Sequence, residues 1–146
     1  MTIRFALLPL DERALDAAAA LHREAFALLG ERAWTRQELA ALLASPGVAG
    51  FLAQEDGNGI GFALFRVAAD EAELLTIAVG PLHRRHGAGR ALLAAVLGHA
   101  RLRGARSIFL EVGSDNPAAQ ALYRQHGFEA VGKRTSYYEQ IGRAHV

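Results

Sequence analysis

The residues in this sequence whose types and spacing could do chemistry fall in one half of the chain. The most conspicuous is a basic, glycine-containing run, His83-Arg84-Arg85-His86-Gly87-Ala88-Gly89-Arg90. It follows an apolar, β-prone segment (Leu74, Leu75, Ile77, Ala78, Val79) that Gly80-Pro81 breaks, and it feeds directly into an alanine- and leucine-rich helical pattern. Strand, glycine loop and helix is an arrangement that presents backbone N–H groups to an anion. The first amides of a helix lack an internal partner, and the macrodipole places positive potential there. Gly87 and Gly89 remove side chains that would hold a phosphate away, while Arg84, Arg85 and Arg90 add charge, so the run reads as a diphosphate seat. The plainer alternative is a basic helix entry whose glycines serve only a tight turn. A dinucleotide fingerprint would need a third glycine where Leu92 stands, and no Gly-Lys-Ser/Thr of a Walker loop occurs. His83 and His86, three apart with no carboxylate nearby, suit phosphate neighbours rather than metal ligands, so no metal is expected.

The next candidate is Glu111, inside the apolar run Arg106-Ser107-Ile108-Phe109-Leu110-Glu111-Val112. Strand alternation puts Ser107, Phe109 and Glu111 on one side and Ile108, Leu110 and Val112 on the other. A carboxylate there either faces water at a strand end or is buried with a partner or a role. Burial would raise its pKa and make it a usable base near neutral pH. Tyr123 follows on a short helical pattern, sharing a face with Ala119, Leu122 and His126, which also fits a packed ring with a wet hydroxyl. Asn116, just before Pro117, reads as a helix cap.

These residues need a scaffold, and the rest of the chain supplies one. With 146 residues it is expected to form a single domain, 1–146, that buries about two-thirds of its unfolded surface. The 51% hydrophobic and 21% charged content argues for a folded globule and against disorder. A net charge of +1 argues against binding nucleic acid by bulk electrostatics. Absence of cysteine removes disulfides, thiolate metal sites and a cysteine nucleophile, and it fits a reducing compartment. No apolar run reaches the roughly 18 residues of a membrane span and no signal pattern opens the chain, so a cytoplasmic protein is expected.

Along the chain, residues 2–8 predict a strand ended by Pro9, and Asp11 caps a helix to about Leu28 that Gly30 stops. His22 in that helix is expected to be solvated or at the core edge. Thr35-Arg36-Gln37-Glu38 is a capping box announcing a second helix to about Ala44, with Trp34 at the staple position as a packed aromatic. Residues 48–53 and 60–68 predict a hairpin around Glu55-Asp56-Gly57-Asn58-Gly59, and Asp70-Glu71 turns into a third strand over 72–79. A helix over 88–103, a strand over 106–112, a helix over 115–126 and a strand over 128–138 complete the pattern. The fold class is α/β (α+β), a mixed, mostly antiparallel sheet of six or seven strands covered by four helices.

The run Arg84-Arg85-His86-Gly87-Ala88-Gly89 resembles the pyrophosphate loop of the GNAT superfamily of N-acetyltransferases, Arg/Gln-x-x-Gly-x-Gly/Ala. Residues 74–138 resemble the branch that acetylates the N-terminal alanine of a bacterial ribosomal protein. The resemblance runs through Ile77-Ala78-Val79, Arg85 to Arg90, Leu110-Glu111-Val112, Asn116, Ala121-Leu122-Tyr123, Gly127-Phe128 and Tyr137-Tyr138. The N-terminal half is similar more loosely, through Phe26, Trp34 and the apolar stretch from Leu42-Leu43 to Gly50. The resemblance implies a GNAT-like domain that binds acetyl-CoA through Ile77, Ala78, Val79, Arg84, Arg85, His86, Gly87, Ala88, Gly89, Arg90 and Asn116. It implies Glu111 as general base and Tyr123 as general acid. Tyr137 and Tyr138 become candidates to line a peptide channel. The branch also carries an acidic residue after the paired tyrosines and then a final strand. Here no acid follows Glu139, and the tail Gly142-Arg143-Ala144-His145-Val146 is expected to lack that strand end.

The implied activity is acetyl-CoA-dependent transfer to the N-terminal amine of a small-subunit ribosomal protein, directly within a ternary complex, with neither a nucleic-acid nor a membrane partner. The rivals are transfer to a small-molecule or lysine amine, and a non-catalytic acyl-CoA sensor. A nucleotide-binding protein is weakened by the lack of an acidic ribose or metal-ligand pattern.

Overall fold

The computed structural model describes residues 5–27, 34–80, 87–113, 117–134 and 139–145. In chain order these form β1 (Phe5–Pro9), a 3-10 turn (Glu12–Ala14), α1 (Leu15–Ala27), α2 (Arg36–Leu43), β2 (Val48–Glu55) and β3 (Asn58–Ala68). Then come β4 (Glu71–Val79), α3 (Ala88–Leu102), β5 (Ser107–Gly113), α4 (Pro117–Gln125), β6 (Glu129–Arg134) and β7 (Glu139–His145). The strands make one seven-stranded sheet in the order β1-β2-β3-β4-β5-β7-β6. Every neighbouring pair is antiparallel except β4 and β5. The mixed, mostly antiparallel sheet expected from sequence is thus present, with seven strands.

Local chemistry explains the early elements. Asp11 accepts a hydrogen bond from the Arg13 N–H and starts the 3-10 turn that leads into α1. The capping box of α2 is complete. The Thr35 hydroxyl accepts from the Glu38 N–H at 3.1 Å, and the Glu38 carboxylate accepts from the Thr35 N–H at 3.2 Å. Strands β2, β3 and β4 form the expected meander. Residues Ile60 to Phe65 of β3 are buried without interruption, as a central strand covered on both faces must be.

The two faces hold separate apolar clusters. On one, Ala63 and Phe65 of β3 and Ile108 and Leu110 of β5 pack with Leu92, Leu93, Val96 and Ala100 of α3 and with Tyr123 and Phe128. On the other, Leu52, Phe62, Leu64 and Ala78 pack with Leu15, Ala18, Ala19, Leu21 and Ala25 of α1 and with Leu39 of α2.

Two expectations are corrected. Where the pattern over 128–138 predicts a single last strand and a tail without one, the chain forms β6 and then β7. The tail strand runs antiparallel to both β5 and β6, from Ser107 opposite His145 to Gly113 opposite Glu139. It is therefore interior to the sheet, whereas β6 is the edge. His22, expected at least partly wet, is 2% exposed. Its ring stacks on Trp34 at 5.3 Å and 13° and lies 6.1 Å from Phe62. The Trp34 N–H donates to His22 Nδ1 at 3.1 Å, which satisfies one ring nitrogen and makes the burial tolerable.

Candidate active site

The start of α3 lies beside the end of β4. Gly87 is the N-cap at φ +86°, a backbone conformation that a side chain would strain, and no side chain caps the helix there. The first helical bond runs from the Ala91 N–H to the Gly87 carbonyl at 3.0 Å. The N–H groups of Ala88, Gly89 and Arg90 precede it and have no helical acceptor. A Cβ built on Gly87 meets nothing within 4 Å. One built on Gly89 lies 3.6 Å from Val79 and 3.7 Å from Leu122, so β4, α3 and α4 meet at this point. Arg90 ties the corner, its Nη2 donating to Gln125 Oε1 at the end of α4 at 3.1 Å.

The β4–β5 seam opens next to this helix start. The parallel ladder consists of Glu71 opposite Ser107, Ala72 opposite Ile108 and Glu73 opposite Phe109. Beyond it β4 continues to Val79 paired only with β3, and β5 continues to Gly113 paired only with β7. The backbone of Ile77, Ala78 and Val79 thus presents an edge toward a gap between two strands of the same sheet. An irregularity sits at the mouth of that gap. Leu64 is opposite Thr76 but Phe65 is opposite Leu74, so Leu75 is an extra residue, a β-bulge. The bulge changes which residues face which core. Leu74 belongs to the α3 side, whereas beyond the bulge Ile77 and Val79 do, and Ala78 joins the α1 side.

Tyr123 is held by the end of α4. The Phe128 N–H donates to the Tyr123 carbonyl at 3.1 Å and the Gly127 N–H to the Arg124 carbonyl at 3.1 Å. Gly127 is at φ +88°. This is a Schellman ending, and its usual apolar contact is the ring of Tyr123 against Phe128 at 5.7 Å. The sequence Tyr-x-x-x-Gly-Phe therefore fixes the tyrosine by the same bonds that stop the helix. Tyr123 is 8% exposed, and burial pushes its phenol up to about 12, so it keeps its proton through the neutral range.

Of the residues singled out from sequence, the structure brings together Ile77, Ala78, Val79, Gly87, Ala88, Gly89 and Arg90. Glu111 lies in β5 past the point where β4 departs, opposite Ile141 of β7, and only its backbone is described. Arg84, Arg85, His86, Asn116, Tyr137 and Tyr138, together with His83, lie outside the described residues. Among the described residues no group of His, Cys, Asp and Glu side chains could hold a metal, and no helix is long and apolar enough to cross a membrane. Thr76 escapes a sequence reading, because simple alternation assigns it to the α3 side and the bulge is invisible in residue types.

The model of the acetyltransferase (GNAT) family matches residues 15–128, and the chain belongs to that family. The N-alpha-acetyltransferase RimI of Mycobacterium tuberculosis is 37% identical over 131 residues, 87% of this chain and 81% of that one. The ribosomal protein bS18-alanine N-acetyltransferase of Escherichia coli K12 is 41% identical over 88 residues, 60% of each chain, so that match spans about three-fifths of the relative's length. In three dimensions the ribosomal-protein-S18-alanine N-acetyltransferase of E. coli superposes with a TM-score of 0.85, at 29% identity, over 97% of this chain and 94% of that one. The PaiA N-acetyltransferase of Thermoplasma acidophilum, solved with coenzyme A, shares the fold with a TM-score of 0.86 at 18% identity, over the whole of both chains.

Proposed function

We propose that this protein transfers the acetyl group of acetyl-CoA to the N-terminal amine of a protein, the N-terminal alanine of a small-subunit ribosomal protein being the preferred acceptor. The observation that carries the reading is the uncapped start of α3 beside the parted β4 and β5 strands. That corner offers free backbone donors for a diphosphate and a free strand edge for an extended amide chain. The names of the E. coli and M. tuberculosis relatives support the choice of an N-terminal amine.

The residues fit the cosubstrate. The N–H groups of Ala88, Gly89 and Arg90, with Arg84, Arg85 and His86 preceding them in sequence, would hold the diphosphate, and Asn116 would add a further contact. The strand edge at Ile77–Val79 would take the pantetheine amides, and a backbone N–H near Val79 would polarise the thioester carbonyl. A thioester supplies an activated acyl group, so the protein has to bring the amine close, remove its proton and protect the leaving sulfur. An α-amine has a pKa of roughly 7.7–8.0 and is mostly protonated at pH 7. Glu111 accepts that proton, directly or through water. The neutral nitrogen forms the new C–N bond, the C–S bond breaks, and Tyr123 presents its proton to the departing sulfur. Since a phenol at about 12 is a weaker acid than a thiol at roughly 8.5, a hydrogen bond to the developing thiolate precedes any transfer. The absence of cysteine from the chain favours direct transfer in a ternary complex over an acyl-cysteine relay.

The test is incubation with acetyl-CoA and a panel of amines read by mass spectrometry. Peptides starting with alanine should gain one acetyl group, and the same peptides with a blocked N-terminus should not. Acetylation of lysine, spermidine or an aminoglycoside with the peptides untouched would move the proposal to a small-molecule acceptor. Acetyl-CoA binding with no turnover on any amine would make the protein a sensor.

A further inference from the structure

Thr76 is 8% exposed, and its hydroxyl has no hydrogen-bond partner among the described residues. A buried hydroxyl left unpaired is costly, and the cost disappears if threonine becomes valine, which has nearly the same shape. Three facts about its position say what the hydroxyl is for. Thr76 is opposite Leu64, and such cross-strand partners share a face. Leu64 belongs to the cluster under α1, so Thr76 is on the face of the sheet opposite to α3. Finally, the β4–β5 ladder ends at Glu73 and Phe109. Extending its register, with the extra residue at Leu75 counted, brings Thr76 level with Glu111 across the gap.

We infer that Thr76 is a binding contact for the acceptor amine, an inference that rests on the acetyl-transfer reading above. The cosubstrate enters from the α3 side, where the helix start faces its diphosphate. A group meeting Thr76 approaches from the α1 side, and the reactant left to do so is the amine. A neutral primary amine carries two N–H bonds and one lone pair, and only the lone pair is to point at the thioester carbon. The Thr76 hydroxyl accepts one N–H and so fixes the rotation of the nitrogen, while Glu111 stands at the same level on the other strand to take the proton. The bulge at Leu75 is what turns a hydroxyl to this face. Without it the pattern begun by Ala72 and Leu74 would point residue 76 at the α3 core.

The test compares the full chain with its Thr76→Val and Thr76→Ser variants, with an alanine-starting peptide and spermidine as acceptors and acetyl-CoA as donor. Thr76→Val should lower kcat/KM for the amine roughly tenfold or more, leave the calorimetric affinity for acetyl-CoA unchanged, and melt at the same or a higher temperature than wild type. Thr76→Ser, which keeps the hydroxyl, should recover most of the loss. A lower melting temperature for Thr76→Val would mean that the hydroxyl already has a partner in the free protein, and would overturn the inference. So would unimpaired amine kinetics in Thr76→Val, or a serine variant as poor as the valine one. A wild-type protein inactive on both amines overturns the transfer reading itself, whereas an active wild type with an unimpaired valine variant overturns the Thr76 inference alone.

Discussion

At the start of α2 the chain closes its own backbone donors. The Trp34 N–H goes to His22, the Thr35 N–H to Glu38 and the Glu38 N–H to Thr35, so three donors at the helix entry are taken by side chains of the same protein. At the start of α3 the N-cap is a glycine in a left-handed conformation with no side chain to offer, and the donors of Ala88, Gly89 and Arg90 have no partner among the described residues. Both helices carry fully buried apolar side chains. Leu39 of α2 and Leu92, Leu93 and Val96 of α3 are all 0% exposed. The difference therefore concerns the ends and not the packing. A helix end closed by its own residues serves stability, and one left open beside a parted strand pair is available to a ligand. The comparison makes predictions at both ends.

The largest effects should belong to the side chains proposed to act on what the open end holds. Glu111→Gln and Tyr123→Phe should each slow turnover by about 10²–10⁴-fold with acetyl-CoA affinity nearly unchanged, the usual contribution of a general base or acid. Loss of Glu111 should also remove or shift the acidic limb of the pH–rate profile. Tyr123, protonated up to about 12, should contribute no limb in the neutral range. A Glu111→Gln enzyme with the wild-type rate and profile would remove the base from the mechanism.

Next comes the open end itself. Gly89→Val places its Cβ at ordinary contact distance from Val79 and Leu122, and a helical position gains by losing glycine, so the fold should survive. The added methyls occupy the approach to the amides. Calorimetry should show acetyl-CoA affinity reduced by about a hundredfold, the loss expected when one or two charge-assisted bonds are blocked. Gly87→Val is the poorer experiment, because its positive φ would strain any side chain with or without a ligand. Unchanged affinity in a folded Gly89→Val variant would put the diphosphate elsewhere.

These contrasts also say what can be read from residue types. Turn and cap chemistry is local, so the hairpin near Asp56-Gly57, the capping box at Thr35 and the glycine helix start at Gly87 were all legible. The division of the last strand was not. Residues 135–138 are Thr-Ser-Tyr-Tyr, which lack the glycine, proline, asparagine or aspartate that usually marks a turn, so the pattern over 128–138 reads as one β-prone run. The bulge at Leu75 was hidden for a related reason. Leu-Leu-Thr-Ile-Ala-Val satisfies alternation in either phase, and only pairing with β3 decides which residues face α3. His22 was misread because its partner, the Trp34 N–H, is twelve residues away in sequence and is brought close by tertiary packing.

At the closed end, His22 should make stability depend on pH. Burial lowers its pKa from 6.5 to about 4, an effect that the nearby Glu38 carboxylate partly opposes. The unfolded chain takes up a proton below about 6.5 and the folded chain only near 4, so protonation favours unfolding in between. Stability is fully present above about 6.5, declines as pH falls through that window, and loses up to about 3 kcal/mol once both forms are protonated. Urea unfolding at pH 7.5 and pH 5 should show this decline in the wild type and a flatter response in His22→Gln. Equal pH dependence in the two proteins would assign the effect to other groups.

The smallest effect is the sharpest test of the contrast. Thr35→Ala removes the hydroxyl that accepts the Glu38 N–H and keeps the reciprocal bond from the backbone N–H of residue 35 to the Glu38 carboxylate. Loss of such a cap typically costs about 1 kcal/mol, or roughly 3 °C in melting temperature for a chain of this size. Because α2 packs on the α1 face, on the side of the sheet away from α3, acetyl-CoA affinity should not change. The paired measurement is thermal melting and calorimetry on Thr35→Ala beside Gly89→Val. The first variant should lose stability and keep binding, and the second should keep stability and lose binding. If Thr35→Ala also weakened acetyl-CoA binding, the two helix ends would be coupled through the sheet, and the separation of a stabilising end from a ligand-binding end would fail.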